Sequence, residues 1–318
     1  MSDGQRLWPG KFNHRWILWP PAVVLAVLLF AGGPGYHSLR SVQALWNLGH
    51  IVAFSLWTYL LVTWSRVEEY SPLRQRALGI AFCMVAGAGS EWIQSWIGRD
   101  ASLGDVLRDV AGGWLTLSFF APSAKSFSRH ARRATGALAV FFLVVACLPL
   151  ATALFDEAAS RSRFPVLSDF ETPFEKSRWE GGARYSVDTT IARRGKSSLR
   201  VDMDTSLYSG VSLVYFPRKW TGYRALVIDV LNPSPDPLDI RCRIHDKRHE
   251  EGERQTQDRF NRFYRLPPGW NEIRIDLDDV ANAPKDRAMD LENIRAVGLF
   301  AMKLPAPRSM YVDSVRLE

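Results

Sequence analysis

Every long apolar stretch of this 318-residue chain lies in its first half. Five segments of about 17–22 residues, close to the roughly 20 that cross a bilayer as a helix, fall at residues 16–32, 43–64, 77–97, 104–121 and 135–154. Beyond Phe155 the pattern becomes short alternating runs such as SLRVDMD and LDIRCRIH, which read as half-buried strands. The sequence therefore predicts a multi-domain protein: an α-helical transmembrane bundle of five spans over residues 1–155, a linker at 156–163, and an all-β jelly-roll sandwich over 164–318. The overall content of 47% hydrophobic residues conceals this division, because the two halves average to an ordinary globular value.

Charge orients the bundle. Ten basic residues flank the spans on one side, at Arg6, Lys11, Arg15, Arg66, Arg74, Arg76, Lys125, Arg129, Arg132 and Arg133, against Arg40 and Arg99 on the other. The positive-inside rule then places the N-terminus in the cytoplasm and, after five crossings, the C-terminal domain outside. Residues 1–155 carry 13 basic and 7 acidic side chains, and the remainder 27 and 26. The net charge of +7 is thus largely a topology signal and does not point to nucleic acid. Trp16, Trp19, Trp46, Trp64, Trp92 and Trp96 fall near span ends, where indole rings favour the headgroup layer. The first segment exceeds a usual signal-peptide core and no A-x-A cleavage pattern follows it, so it reads as a retained anchor. Cys83 and Cys147 lie within spans, which leaves Cys242 alone in the outer domain and excludes an intrachain disulfide there.

Ionisable residues interrupt three of the spans, all near the outer end: His50 in the second, Glu91 in the third beside the polar Gln94, and Asp105, Arg108 and Asp109 in the fourth. A charge inside a bilayer costs several kcal/mol, so such groups normally face a protein interior or a wet cavity. At 1.5 Å per residue, His50, Glu91 and Asp109 all sit roughly 10 Å deep, in one layer. Helical spacing puts Asn47, His50 and Phe54 on one face, Gly87, Ala88, Glu91 and Gln94 on another, and Asp105 with Asp109 on a third. The short connection IGRDASLG carries Arg99, able to fold back over the acids, and sets Ser102 and Asp105 in the S-x-x-D spacing of a capping box. Such a set either binds a polar headgroup or locks the helices together as an ion-pair network.

The order N-x-x-H-x-x-x-F (Asn47, His50, Phe54), E-x-x-Q (Glu91, Gln94) and G-R-x-x-S-x-x-D-x-x-x-D-x-x-G (Gly98, Arg99, Ser102, Asp105, Asp109, Gly112) resembles the VanZ-like membrane family over about residues 40–121. It departs from the family pattern at Trp46-Asn47, where the family has Asp-Lys, and at Asp109, where it has Asn. The resemblance implies a role in the cell envelope, in antibiotic or envelope-stress resistance. It implies no particular reaction and no cofactor for the membrane domain.

About ten strands are predicted after residue 164, separated by Gly, Pro and Asn turn signals. SDFET, GKSSLRVDM, SGVSL, GWNEIRIDL and MYVDSVRLE resemble jelly-roll carbohydrate-binding modules of the galactose-binding-like fold. That resemblance implies a structural calcium site at Glu171 and Asp313, whose hard oxygen atoms suit the ion. The stretch 243–270 gathers His245, Asp246, Arg248, His249, Asp258, Arg259 and Asn261 with Phe260 and Phe263 interleaved. Planar polar groups beside aromatic rings are what a sugar requires, so His249, Asp258, Arg259, Phe260 and Asn261 are the glycan-binding candidates. A solvated loop would have the same composition.

Three readings follow. The chain recognises envelope polysaccharide or a lipid-linked glycan precursor at the outer face of the inner membrane. Alternatively it is a membrane-interface enzyme acting on a lipid-linked headgroup, with His50 as general acid or base, Glu91 or Asp109 orienting it and Arg99 stabilising charge. In the third, the bundle is a scaffold that displays the sandwich. No nucleophile or metal-ligand set stands out in the sequence, which favours binding over catalysis.

Overall fold

The computed structural model describes residues 15–31, 33–35, 37–96 and 102–318. The chain divides between Ala151 and Thr152 into a helical unit and a β-sandwich unit.

The helices, in chain order, are α1 (Arg15–Phe30), α2 (Arg40–Asn47), α3 (Gly49–Val62), α4 (Ser65–Glu68), α5 (Pro72–Trp96), α6 (Leu103–Phe119) and α7 (Arg129–Arg163). The second apolar segment is two helices rather than one. Leu48 ends α2 and begins α3, just before Gly49, a residue that favours a break because it loses most entropy in a helix. The continuous stretch Arg40–Val62 and the helix Arg129–Arg163 are long and apolar enough to cross a membrane, and the apolar stretch Trp16–Phe30 is shorter. The other two expected spans coincide with α5 and α6, which hold ionisable side chains inside them.

Helix α3 packs along α6 and α1, and α5 packs on α6. Hydroxyls stitch the first pair: Ser55 Oγ donates to the Gly112 carbonyl at 2.9 Å and Thr116 Oγ1 donates to that of Ser55 at 2.8 Å. Helix α1 is held by the Trp57 indole N–H on the Ala22 carbonyl at 3.0 Å and by Gln94 Nε2 on that of Leu29 at 2.8 Å. Leu29, Ala53, Phe54 and Cys83 form the small apolar core between them. Much of the outer surface is apolar: Val23, Val24 and Val27 on α1, Met84 and Val85 on α5, and Phe141, Val144 and Leu148 on α7 are all exposed.

The sandwich unit contains β1 (Val166–Ser168), β2 (Trp179–Gly181), β3 (Arg184–Asp188), β4 (Ser198–Met203), β5 (Tyr208–Leu213), β6 (Ala225–Asn232), β7 (Leu238–Asp246), the short helix α8 (Lys247–Glu251), β8 (Phe260–Leu266), β9 (Gly269–Asp276), the short helix α9 (Leu277–Ala281), β10 (Ile294–Met302) and β11 (Arg308–Leu317). One antiparallel sheet has the order β3-β4-β11-β6-β9, with β1 added on β11. The other has the order β2-β5-β10-β7-β8. Alternation puts Leu238, Ile240, Cys242 and Ile244 of β7, and Val297, Leu299 and Ala301 of β10, into one core with Leu226, Ile228 and Val230 of β6. The opposite positions of β7, Asp239, Arg241, Arg243 and His245, therefore lie on the outer face of the second sheet. Strand β6 reads as nearly continuous apolar residues because its outer face is covered too. There Asp229, fully buried, pairs with Arg193, Arg194 and Arg316.

Residues 156–163, expected as a linker, are instead the last turns of α7. Their order has a specific cause. Asp156 takes the Nε and Nη2 groups of Arg178 at 2.8–3.1 Å, and Arg178 Nη1 donates to the Leu167 carbonyl at 2.8 Å. Both side chains are almost wholly buried.

Candidate functional site

In the helical unit three helices bring one set of polar groups together. His50, in the first turn of α3, places Nδ1 2.8 Å from Asp109 Oδ1 on α6. Both are buried, and Asp109 Oδ2 has no hydrogen-bond partner. Asp109 fits because Gly87 of α5 faces it: a Cβ there would lie 2.6 Å from Oδ2. Glu91, one turn further along α5, is 5% exposed. Its Oε2 accepts the backbone N–H of Ser102 at 2.6 Å, while Oε1 is buried without a partner. Asp105 turns to Arg108 on its own helix. One ligand-capable atom from each of His50, Glu91 and Asp105 lies within 4.8 Å of the others.

Of the expected layer, the structure brings His50, Glu91, Asp105 and Asp109 together, and it differs from the expectation in detail. The capping box does not form: Ser102 is the N-cap of α6 but its side chain makes no capping bond, since the Asp105 N–H goes to the Ser102 carbonyl, while the Ser102 N–H is taken by Glu91 and the Asp105 carboxylate by Arg108. Gln94 ties α5 to α1 instead of facing His50. Asn47 is half-buried at the end of α2, across the break at Leu48 from His50. Gly98 and Arg99 lie outside the described residues.

The sandwich carries a second site on the outer face of its β2-β5-β10-β7-β8 sheet. A cleft of about 400 Å³ is lined by Gly181, Gly182, Tyr208, Gly210, Val211, Ser212, Arg243, Arg259 and Phe300. Strand register explains it. Ser212, Gly298, Arg243 and Asn261 form one row across four strands, and the small residues in that row let the Arg243 chain lie across the sheet. A Cβ on Gly298 would stand 3.0 Å from Ser212 Oγ and 3.6 Å from Arg243 Nε. Tyr208 and Phe300 form the aromatic wall, edge to face with centroids 5.8 Å apart, and the Arg243 guanidinium lies 5.8 Å from the Phe300 centroid.

Two cations lie close together in this cleft, with Glu180 of β2 at the other end of the same row. Burial, and then the like charge of Arg259, draw the Arg243 guanidinium below its ordinary value, and burial does the same to Arg259. Among the described residues neither has a carboxylate partner, the Nε–H groups of both are buried without an acceptor, and Asn261 Oδ1 is buried without a donor.

Of the residues expected to contact glycan, Arg259 lines the cleft and Asn261 stands in its row. Phe260 is turned the other way into the core, 3% exposed, so its ring is not open to a sugar. Asp258 is held by Arg287, and His249 is buried with Nδ1 3.4 Å from Asp258. Both belong to a structural network centred on Asp246, which accepts from Arg287 and from the N–H groups of His249 and Asp290. The sequence reading missed Arg243, Tyr208 and Phe300. The alternation in LDIRCRIH already put Arg243 outward, but its neighbours come from β5 and β10, and only strand order reveals them.

Glu171 and Asp313, the calcium candidates, grip one turn. Glu171 Oε1 accepts the N–H groups of Lys196 and Ser197, and Asp313 Oδ2 those of Arg193 and Arg194. Burial pushes the Asp313 carboxyl up, against the pull of those N–H groups, and its Oδ1 is buried without a partner. That oxygen fits a cation, whereas the turn offers the acids N–H donors.

No protein-family model matches the sequence, and a search of curated proteins gives no match. Among solved structures, the sandwich is similar to a family 11 carbohydrate-binding module from Clostridium thermocellum in complex with a beta-1,3-1,4-mixed-linked tetrasaccharide, at 17% identity over 48% of this chain and 93% of that one, with a TM-score of 0.37. An exo-beta-agarase gives 18% identity, 48% and 24% coverage and a TM-score of 0.40. A family 30 carbohydrate-binding module of a Clostridium thermocellum cellulosomal cellulase gives 13%, 44%, 91% and 0.34.

Proposed function

We propose that this chain is a multi-pass inner-membrane protein whose extracytoplasmic sandwich recognises envelope glycan, and that the cleft over β5, β10 and β7 takes an acidic saccharide. The observation that carries this reading is the pair Arg243 and Arg259, desolvated side by side without a carboxylate among the described residues. Two such cations are costly to hold together unless an anion joins them. A guanidinium meets a carboxylate or phosphate with two parallel hydrogen bonds, while Tyr208 and Phe300 offer flat faces to the C–H side of a sugar ring. The anionic group could belong to a polysaccharide or to a lipid-linked precursor. The membrane placement is supported by the basic asymmetry of the connections, by two helical stretches of spanning length and by the exposed apolar surfaces of α1, α5 and α7.

Affinity electrophoresis of residues 152–318 through gels containing polygalacturonate, or a neutral mixed-linked glucan, tests this. Polygalacturonate should retard the protein, and Arg243→Ala or Arg259→Ala should weaken the retardation by about tenfold or more, as loss of a charge-assisted contact does. Migration unaffected by either polymer would sink the reading.

The His50–Asp109 pair at 2.8 Å favours a second reading, an enzyme acting on a membrane headgroup, because a carboxylate on Nδ1 leaves Nε2 to accept a proton. His50→Gln should then abolish an envelope phenotype at unchanged protein abundance, whereas loss of the protein itself would mark a purely structural pair.

A further inference from the structure

Two buried carboxylate oxygens in the polar layer of the helical unit have no partner among the described residues. Glu91 is buried with one oxygen fixed by the Ser102 N–H and the other without a donor, and Asp109 is wholly buried with Oδ2 in the same condition. A buried carboxylate oxygen without a partner is costly, and native structures seldom leave one so. Here two occur together, on facing helices, beside an imidazole and a third carboxylate. Among the described residues the fixed cation of this layer is Arg108, which is engaged by Asp105.

We propose that His50, Glu91 and Asp105 bind one divalent cation of the zinc type, with Asp109 as the positioning residue for His50. The three side chains come from α3, α5 and α6, and one ligand-capable atom of each lies within 4.8 Å of the others. Zinc holds nitrogen and oxygen ligands at about 2.0–2.2 Å, which puts neighbouring ligand atoms roughly 3–4 Å apart, so small side-chain rotations close the site. The supporting contacts are already formed. Asp109 on Nδ1 selects the tautomer whose Nε2 lone pair is free for a metal, the carboxylate–histidine arrangement common around zinc. The Ser102 N–H fixes the Glu91 carboxylate in the same way. A donor set of one imidazole and two carboxylates suits zinc or manganese better than calcium or copper(I), which prefer all-oxygen or thiolate surroundings. Three protein ligands also leave a coordination position open, the arrangement of zinc sites that engage water or a substrate oxygen rather than of closed structural sites.

The test uses the full chain, purified in mild detergent, stripped with EDTA, incubated with zinc sulfate and desalted before metal analysis by mass spectrometry. The expected result is about one zinc per chain, together with a zinc-dependent rise in melting temperature. Glu91→Gln keeps the shape and removes the charged ligand, and should lower zinc retention at least tenfold. Asp109→Asn keeps the ligands and disturbs only the support, so it should weaken affinity by about 10–100-fold without abolishing binding. Asp105→Asn alters the half-buried member of the set and decides the matter if Glu91→Gln fails to fold. His249→Ala reports zinc held by the sandwich histidines and should change nothing. Zinc-free wild-type protein after this treatment, or unaltered stoichiometry in Glu91→Gln or Asp105→Asn, would overturn the proposal.

Discussion

The tie between Asp156 and Arg178 makes the strongest stability prediction. Arg178 is 2% exposed and Asp156 1%, joined through three guanidinium hydrogen bonds of 2.8–3.1 Å. Removing one partner of a buried ion pair leaves the other charge desolvated and costs about 3–5 kcal/mol. Glu175 lies 3.9 Å from Arg178 Nη1 and offsets part of that loss, but its oxygens already accept the N–H groups of Asp169, Phe170 and Thr172. The lower end, about 3 kcal/mol, is therefore expected. For a domain of this size each kcal/mol moves the melting temperature by about 2–4 °C. In residues 152–318, Asp156→Ala should thus melt roughly 6–12 °C below the parent by calorimetry or far-ultraviolet circular dichroism. A fragment that begins at residue 164 should behave like the variant, because it lacks Asp156 altogether. The double change Asp156→Leu with Arg178→Met should recover most of the loss, since well-packed apolar groups replace a buried pair at little cost. A single variant that melts within about 2 °C of the parent would refute the argument and make the last turns of α7 dispensable to the sandwich.

A reporter active only in the cytoplasm, fused after Glu318, should be silent, and strong activity would overturn the five-crossing topology drawn from the ten-to-two basic asymmetry. A structural calcium ion at Glu171 and Asp313, the expectation drawn from the resemblance, would raise the melting temperature of residues 152–318 relative to an EDTA-treated sample, and Asp313→Asn would remove the difference. Equal melts with and without chelator retire that ion. Acid should destabilise the sandwich through Asp246: burial would raise its pKa, but Arg287 and the N–H groups of Asp290 and His249 hold it below the usual carboxylate range. A carboxylate depressed in the folded state stabilises above its unfolded value of about 3.9 and loses that contribution as pH falls through the folded value. Arg287→Met should therefore lower stability at pH 7 and flatten its decline towards pH 3. Parallel pH profiles for the two proteins would contradict the assignment.

The period of the apolar residues was enough to divide the chain, and strand positions in the second half follow almost directly from alternation. LDIRCRIH is β7, SLRVDMD is β4, and Glu91 and Asp109, the acids inside apolar segments, are buried. Local signals failed where a distant partner competed. Ser102 and Asp105 have the spacing of a capping box, yet the Ser102 N–H goes to the Glu91 carboxylate of another helix, and Asp105 pairs with the opposite charge of Arg108. Residues 156–163 have a linker's polarity but stay helical because Arg178, 22 residues from Asp156, needs a buried counter-ion.

Composition and periodicity are properties of the chain itself, so the sequence alone divided the chain into helical and β halves and set the polar residues His50, Glu91, Asp105 and Asp109 within its apolar segments. Which side chains share a site depends on strand order and register, and these arise from contacts between residues far apart in the chain. Arg243 meets Phe300 and Ser212 only because β7, β10 and β5 are neighbours in one sheet. Phe260, beside Arg259 in the sequence, points to the opposite face, since successive residues of a strand project to opposite sides. The tertiary structure therefore moved the proposed glycan site from the stretch 249–261 to the face of a sheet.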